Sequence, residues 1–163
     1  MKILFLMRFW PYFGGGETVT RLLISEFLRR GYEMYVAYWW DRSENRVYLD
    51  KDKLLKFKMK VPSPSSTNDI PSSCYETVFL QLADLIDKHN IDIVINQWWP
   101  YEIFKNSLKI PLISCHHLSV MKKESNYVKK VYHHIFPRRF YAKAFEKLNG
   151  LYKVSDALVF LAH

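Results

Sequence analysis

The chain has 163 residues, a length that suits one domain with a core of its own. Apolar residues make up 49% and aromatics 17%, which excludes a disordered chain, and no apolar run approaches the roughly 20 residues of a membrane span. The net charge of +8 favours an anionic partner such as lipid headgroups, nucleic acid or a phosphorylated substrate, although solvated surface lysines account for much of the excess.

Residues 2–7 form a short, nearly continuous apolar run, the pattern of a strand buried on both faces. Residues 11–17 follow as a glycine-rich loop, Pro11-Tyr12-Phe13-Gly14-Gly15-Gly16-Glu17. From Glu17 onward, Val19, Leu22, Leu23, Phe27 and Leu28 predict one apolar face of a helix. Gly31 stops it just after Arg29 and Arg30, whose charges suit a helix C-terminus. Residues 34–40 then read as the next buried strand, completing a right-handed βαβ unit. Three adjacent glycines at a helix start leave backbone N–H groups bare and add no Cβ. With the partial positive charge of the helix end, they suit a phosphate or another anion. The same glycines would equally serve a tight turn and nothing more. The dinucleotide fingerprint G-x-G-x-x-G fails, because Val19 holds its last position, and no Gly-Lys-Ser/Thr follows to make a P-loop.

Residues 41–52 are polar, a loop over the sheet edge. Residues 54–61 alternate from Leu55 onward. Leu55, Phe57, Met59 and Val61 point one way and Lys56, Lys58 and Lys60 the other, as in a half-exposed edge strand. Residues 62–73 are a loop by composition. Residues 75–90 are helical, with Val78, Leu82, Leu85 and Ile86 as the apolar stripe. Residues 91–96 form the next strand, followed by Gln97-Trp98-Trp99-Pro100. Parallel α/β sheets bind ligands beyond the carboxyl ends of their strands, so Asn96 and Gln97 are candidate contacts, with loop capping as their other use. Trp98 and Trp99 could stack on a sugar or a hydrophobic tail, or pack into the core.

Residues 110–117 read as a strand ending in His116 and His117. Neighbours on a strand point oppositely, so only one of them should face a cleft. For the same reason the pair makes no metal site. The two cysteines, Cys74 and Cys115, match no metal spacing either and read as reduced cytosolic thiols. Residues 121–148 are the most basic segment, with Lys122, Lys123, Lys129, Lys130, Arg138, Arg139, Lys143 and Lys147 interleaved with tyrosines and phenylalanines. Pro137 should split it into two helices. Basic residues among aromatics resemble interfacial membrane helices, or else the aromatics pack on the sheet and the lysines are solvated. Residues 155–161 read as the last strand. The chain is therefore an α/β protein: six strands in a doubly wound, Rossmann-like parallel sheet of order 3-2-1-4-5-6, with helices on both faces.

Pro11-x-x-Gly14-Gly15-x-Glu17, followed by Arg30-Gly31-Tyr32-Glu33, resembles the N-terminal domain of GT-B-fold glycosyltransferases of group 1, a family-4-like pattern. Those sequences often read P-x-x-G-G-x-E and then R-G-H-E-V; here Tyr32 and Met34 replace the His and the Val. Asp92-Ile93-Val94 and the strand at 155–161 are similar to further family patterns, so the resemblance covers nearly all of the chain.

The resemblance implies that 1–163 is a single acceptor-side domain and that a C-terminal donor-binding domain, with its E-x7-E motif, is missing from this sequence. The fragment alone would then be inactive. The whole enzyme would transfer a hexosyl group with retention, in polysaccharide, lipopolysaccharide or glycolipid synthesis. Gly14, Gly15, Gly16 and Glu17 would meet the donor's phosphates. His117, six residues after Pro111, would lie near the reacting sugar, with His116 left open as the alternative. Asn96, Gln97 and Trp98 would fall on the acceptor side.

The resemblance implies no metal or other cofactor. The partners would be a nucleotide-sugar donor, held mainly by the missing domain, and a sugar or lipid-linked acceptor. Nucleic acid is not expected. The protein would be cytoplasmic, and its basic segment would fit a peripheral position at an anionic inner membrane face. The alternative is a stand-alone Rossmann-like module that binds an anionic ligand without catalysis.

Overall fold

Strand β1 (Lys2–Leu6) is buried along nearly its whole length, as its continuous apolar run requires. The computed structural model describes residues 1–10, 15–41, 54–61, 70–97, 99–106, 108–117, 149–150 and 152–161. Gly14, Trp98, residues 42–52 of the loop expected at 41–52, residues 62–69 of the loop expected at 62–73, and the basic segment 121–148 lie outside the described residues.

After β1 come a two-residue strand β2 (Phe9–Trp10), helix α1 (Gly15–Arg29), β3 (Glu33–Tyr38) and a second two-residue strand β4 (Trp40–Asp41). Then follow β5 (Leu54–Lys58), helix α2 (Tyr75–His89), β6 (Ile93–Asn96), β7 (Leu112–His117) and β8 (Ala157–Leu161). Six of the strands form one parallel sheet in the order β5-β3-β1-β6-β7-β8. Counted along that sheet, the order is the expected 3-2-1-4-5-6. The two short strands, β2 and β4, pair with each other in a separate parallel ribbon; Trp40 of β4 falls at the end of the strand expected at 34–40, and β2 lies past the strand expected at 2–7.

The sheet is covered on both faces. On one face Leu4, Leu6, Tyr35, Ala37 and Val94 pack with Val78, Leu82, Leu85 and Ile86, the stripe expected for α2. On the other, Ile3, Phe5, Met34, Val36 and Ile95 pack with α1. There the expected stripe needs correction. Leu22 is 67% exposed, while Ile24 and Thr20 are fully buried. Residues 20, 24, 27 and 28 share one side of a helix with a period of about 3.6, and residue 22 lies across from them. The lysines at 56 and 58 are exposed on the edge strand, as expected, and Lys60 is exposed just past its end, since β5 stops at Lys58. Phe57, Met59 and Val61 join the α2 layer, but Leu55 is exposed and Leu54 is buried in the α1 layer. With two leucines adjacent, the alternation can be phased from either.

Both helices end in the same way. Gly31, at φ +83°, donates to Leu28 O, and Tyr32 N donates to Phe27 O. Asn90, at φ 52°, donates to Asp87 O, and Ile91 N donates to Ile86 O. Each is a left-handed residue closing the last turn, one a glycine and one an asparagine that tolerates the conformation. Arg29 and Arg30 do not simply face the carbonyl end of α1. Both bind the Glu26 carboxylate at 2.7 Å, and the hydrogen bonds from Arg29 first, then Arg30, hold its pKa down to about 2.

Two aspartates fix where strands begin. Asp92 accepts from Lys2 N at 2.7 Å through its side chain, and its own N–H donates to Lys2 O at 2.9 Å. Asp156 repeats this with Leu112, at 2.7 Å and 2.8 Å. In each case a carboxylate just ahead of an incoming strand takes the N–H of its neighbour's first residue. Asp92→Ala and Asp156→Ala should each lower unfolding free energy by about 1 to 2 kcal/mol, since a charge-assisted bond is lost and an N–H loses its acceptor. Urea melts of the single variants and the double check this. The double should be additive, because the two pairs share no partner.

Candidate active site at the carboxyl edge of the sheet

Beyond Leu6 the chain runs from β1 toward the glycines, and three successive carbonyls are held on the way. Leu6 O accepts from Gln97 N at 3.1 Å, and Arg8 O accepts from Trp40 N at 3.1 Å. Between them, Met7 O accepts from the indole Nε1–H of Trp99 at 3.0 Å. Met7 N also donates to Ala37 O at 2.8 Å. The loops that follow β1, β3 and β6 are thus tied together at one edge.

Asn96 ends β6 and is 2% exposed. Its side-chain oxygen accepts from Trp99 N at 2.8 Å, and its Nδ2 donates to Trp99 O at 3.1 Å. A backbone N–H can only donate and a carbonyl only accept, so the pair also fixes the orientation of the amide. Of the two uses open to Asn96, the geometry shows loop capping. Trp99 is core as well as loop, lying edge-on to Trp39 with ring centroids 5.6 Å apart. Gln97 is buried beside them. The sequence reading missed the role of Trp99 as a donor. The signal was there in the Trp-Trp pairs 39–40 and 98–99, each just past the carboxyl end of a strand.

Helix α1 begins at Gly15, two residues before the expected start, so Glu17 is its third residue and does not begin it. The backbone N–H groups of its first turn, at residues 15–18, have no partner within the helix. Chain direction fixes the end of the sheet at which they stand. Helix α1 runs back to the amino edge, where Glu33 N donates to Met1 O at 3.1 Å. Its N-terminus therefore lies toward the carboxyl edge.

The two histidines close β7 at this same edge, His116 paired with Phe160 and His117 with Leu161. Ile113 and Cys115 belong to the α1 layer. Ser114 Oγ and Ser155 Oγ share a hydrogen bond of 2.7 Å, which ties β7 to the approach of β8. Burial pushes the Cys115 thiol up to about 11, so it is neutral packing material at ordinary pH. Both cysteines are free.

A pocket of about 240 Å³ lies at the opposite, amino edge, lined by Phe104, Lys105, Leu112, Lys153, Ser155 and Asp156 among others. Among the described residues there is no cluster of three metal-ligating side chains, and no helix is long and apolar enough to cross a membrane.

No curated protein matches this chain. Among solved structures, sucrose-phosphate synthase from Thermosynechococcus elongatus is similar over 99% of this chain and 47% of its own, with 9% identity and a TM-score of 0.51. A glycosyltransferase from Rickettsia africae ESF-5 is similar over 71% of this chain and 29% of its own, with 17% identity and a TM-score of 0.48. The chain thus spans less than half the length of either protein, and at such identity the first likeness bears on the fold alone. The family model for Glycosyltransferase Family 4 matches residues 13–162. That match runs from the glycine loop through β8, so the chain belongs to glycosyltransferase family 4.

Proposed function

We propose that this domain is the acceptor-side half of a nucleotide-sugar-dependent glycosyltransferase, completed by a donor-binding domain outside the present sequence. The observation that carries the reading is the family match over residues 13–162, laid on a sheet whose carboxyl edge gathers the glycine-led start of α1 and the ends of β6 and β7. In the reaction an acceptor hydroxyl attacks the anomeric carbon. A new C–O bond forms, the bond to the diphosphate breaks, and the nucleoside diphosphate leaves with the electron pair. The hydroxyl proton passes to an oxygen of the departing diphosphate as the bond forms.

The N–H groups at the start of α1, with Gly14, Gly15, Gly16 and Glu17 around them, would meet the leaving diphosphate, where negative charge grows. The family spacing from Pro111 supports His117, with His116 as the alternative, as the residue beside the reacting sugar. Imidazole can hydrogen-bond sugar hydroxyls in either tautomer. With Asn96 occupied by the loop, Gln97 and Trp98 remain the acceptor-side candidates on that turn. Hexosyl transfer with retention, and a product in polysaccharide, lipopolysaccharide or glycolipid synthesis, complete the reading. No metal or cofactor is required of this half. The bonds already holding its loops let it act as a preformed floor for the second domain. Without that domain the donor's base and ribose have no pocket, and this half alone transfers nothing.

In the complete enzyme, Gly15→Ala should lower kcat/KM for the nucleotide sugar by about tenfold while leaving the thermal melt unchanged, because the added Cβ crowds the phosphates. His117→Ala should lower kcat on the order of 100-fold with little change in donor KM, as expected for a group acting at the reacting centre. Steady-state kinetics beside melting curves check both. Unchanged kinetics for Gly15→Ala would make the loop only a turn.

The acceptor is further proposed to be lipid-linked, with the segment at 121–148 against an anionic membrane surface. Each lysine there adds about 1 kcal/mol at most. Flotation with anionic vesicles should show binding at low salt that is lost at raised salt. Absence of binding at low salt would return these residues to a solvated surface.

A further inference from the structure

We infer that Trp99 is a positioning residue: its indole holds the chain leading to the glycine loop in register with the loop that follows β6. The inference rests on the glycosyl-transfer reading for its functional consequence, but the tie itself is a property of the fold.

Burial alone would make Trp99 an ordinary core residue. Three bonds do more. Asn96 grips its backbone from both sides, at N and at O, so the ring is set on a fixed base. The indole N–H then reaches 92 residues back along the chain to Met7 O. Met7 is fully buried. The carbonyl before it is held by Gln97 N of the same loop, and the one after it by Trp40 N, past β3. Trp39 closes the edge of the ring. The chain from Met7 to Gly15 has only seven intervening residues, so a shift at Met7 is passed toward the first turn of α1. The same indole sits two residues past Gln97. One side chain therefore sets the spacing between the proposed phosphate side and the proposed acceptor side of the cleft. In a site of this kind a misplacement of about 1 Å can cost on the order of 100-fold in rate.

Trp99→Phe tests this in the complete protein, since it keeps an aromatic ring and removes the N–H. The comparison is with Leu82→Ala, which removes a fully buried side chain from the middle of α2 and leaves the indole bond to Met7 O in place. Hydrogen exchange of peptides covering residues 7–18, donor kinetics and melting temperature are measured for both. Trp99→Phe should speed exchange over 7–18 by about tenfold, because a buried carbonyl loses its donor and the segment opens locally. Its kcat/KM for the nucleotide sugar should fall by a similar factor. Leu82→Ala should lower the melting temperature at least as much, with exchange over 7–18 and kcat/KM at their wild-type values. Wild-type exchange over 7–18 in Trp99→Phe overturns the tie. Faster exchange with unchanged kcat/KM overturns the positioning role. Should the wild-type protein transfer no sugar, the functional reading fails separately, and the exchange arm still decides the tie.

Discussion

Three consecutive carbonyls, those of Leu6, Met7 and Arg8, each accept a hydrogen bond from elsewhere in the chain, two from the loop after β6 and one from Trp40. The carboxyl edge of the sheet depends on this constraint. A strand that ends in a parallel sheet leaves its next backbone groups without ladder partners, and buried groups of that kind must find others. Here they find the residue after β6, a tryptophan indole, and the residue that opens β4. The outcome is an edge on which the loops after β1, β3 and β6 are joined before any ligand arrives. Polar groups that must be satisfied in the interior thereby fix the geometry of a surface. Such preorganisation suits catalysis, where groups that are already in place need not be ordered at the moment of reaction.

The opposite edge is built by the same logic with different residues. Asp92 and Asp156 each stand one residue ahead of a strand and take the first N–H of the neighbouring strand. The left-handed caps at Gly31 and Asn90 bring each helix to a stop at that edge. Strand starts are set by carboxylates and helix stops by left-handed residues. The amino edge needs no loop-to-loop tie, and it carries none of the proposed functional residues. Its small pocket beside Lys105 and Lys153 stands apart from the proposed chemistry.

Much of this fold could be read in the sequence, because its signals are periodic or local. The α2 stripe is an unbroken helical repeat, and all four of its apolar residues are buried as expected. Gly31 marks a stop because only a left-handed residue closes that turn cheaply. Apolar strands alternating with helical patterns allow few topologies, and the strand order is the one they favour. What escaped the reading depends on neighbours distant in sequence. Leu22 and Ile24 are both apolar, and only the packing of α1 tells which one is buried. Leu54 and Leu55 offer two phases to one strand. Asn96 read as a possible ligand contact because asparagine serves loops and ligands alike. Only the position of Trp99 three residues on shows that its amide is occupied. The glycine loop could be singled out from its own residues and its place before a helix, whereas the role proposed for His117 came from the family resemblance.

The central claim is that the carboxyl edge, at the start of α1, is where the phosphates of a donor meet this domain. Backbone-amide NMR of the chain, titrated with a nucleoside diphosphate at high concentration, tests it most directly. The account predicts that the largest shifts fall on the amides of residues 15–18, with smaller ones at 97–99. Shifts confined to the amino-edge residues around Lys105 and Lys153, with none at 15–18 on saturation, would contradict it.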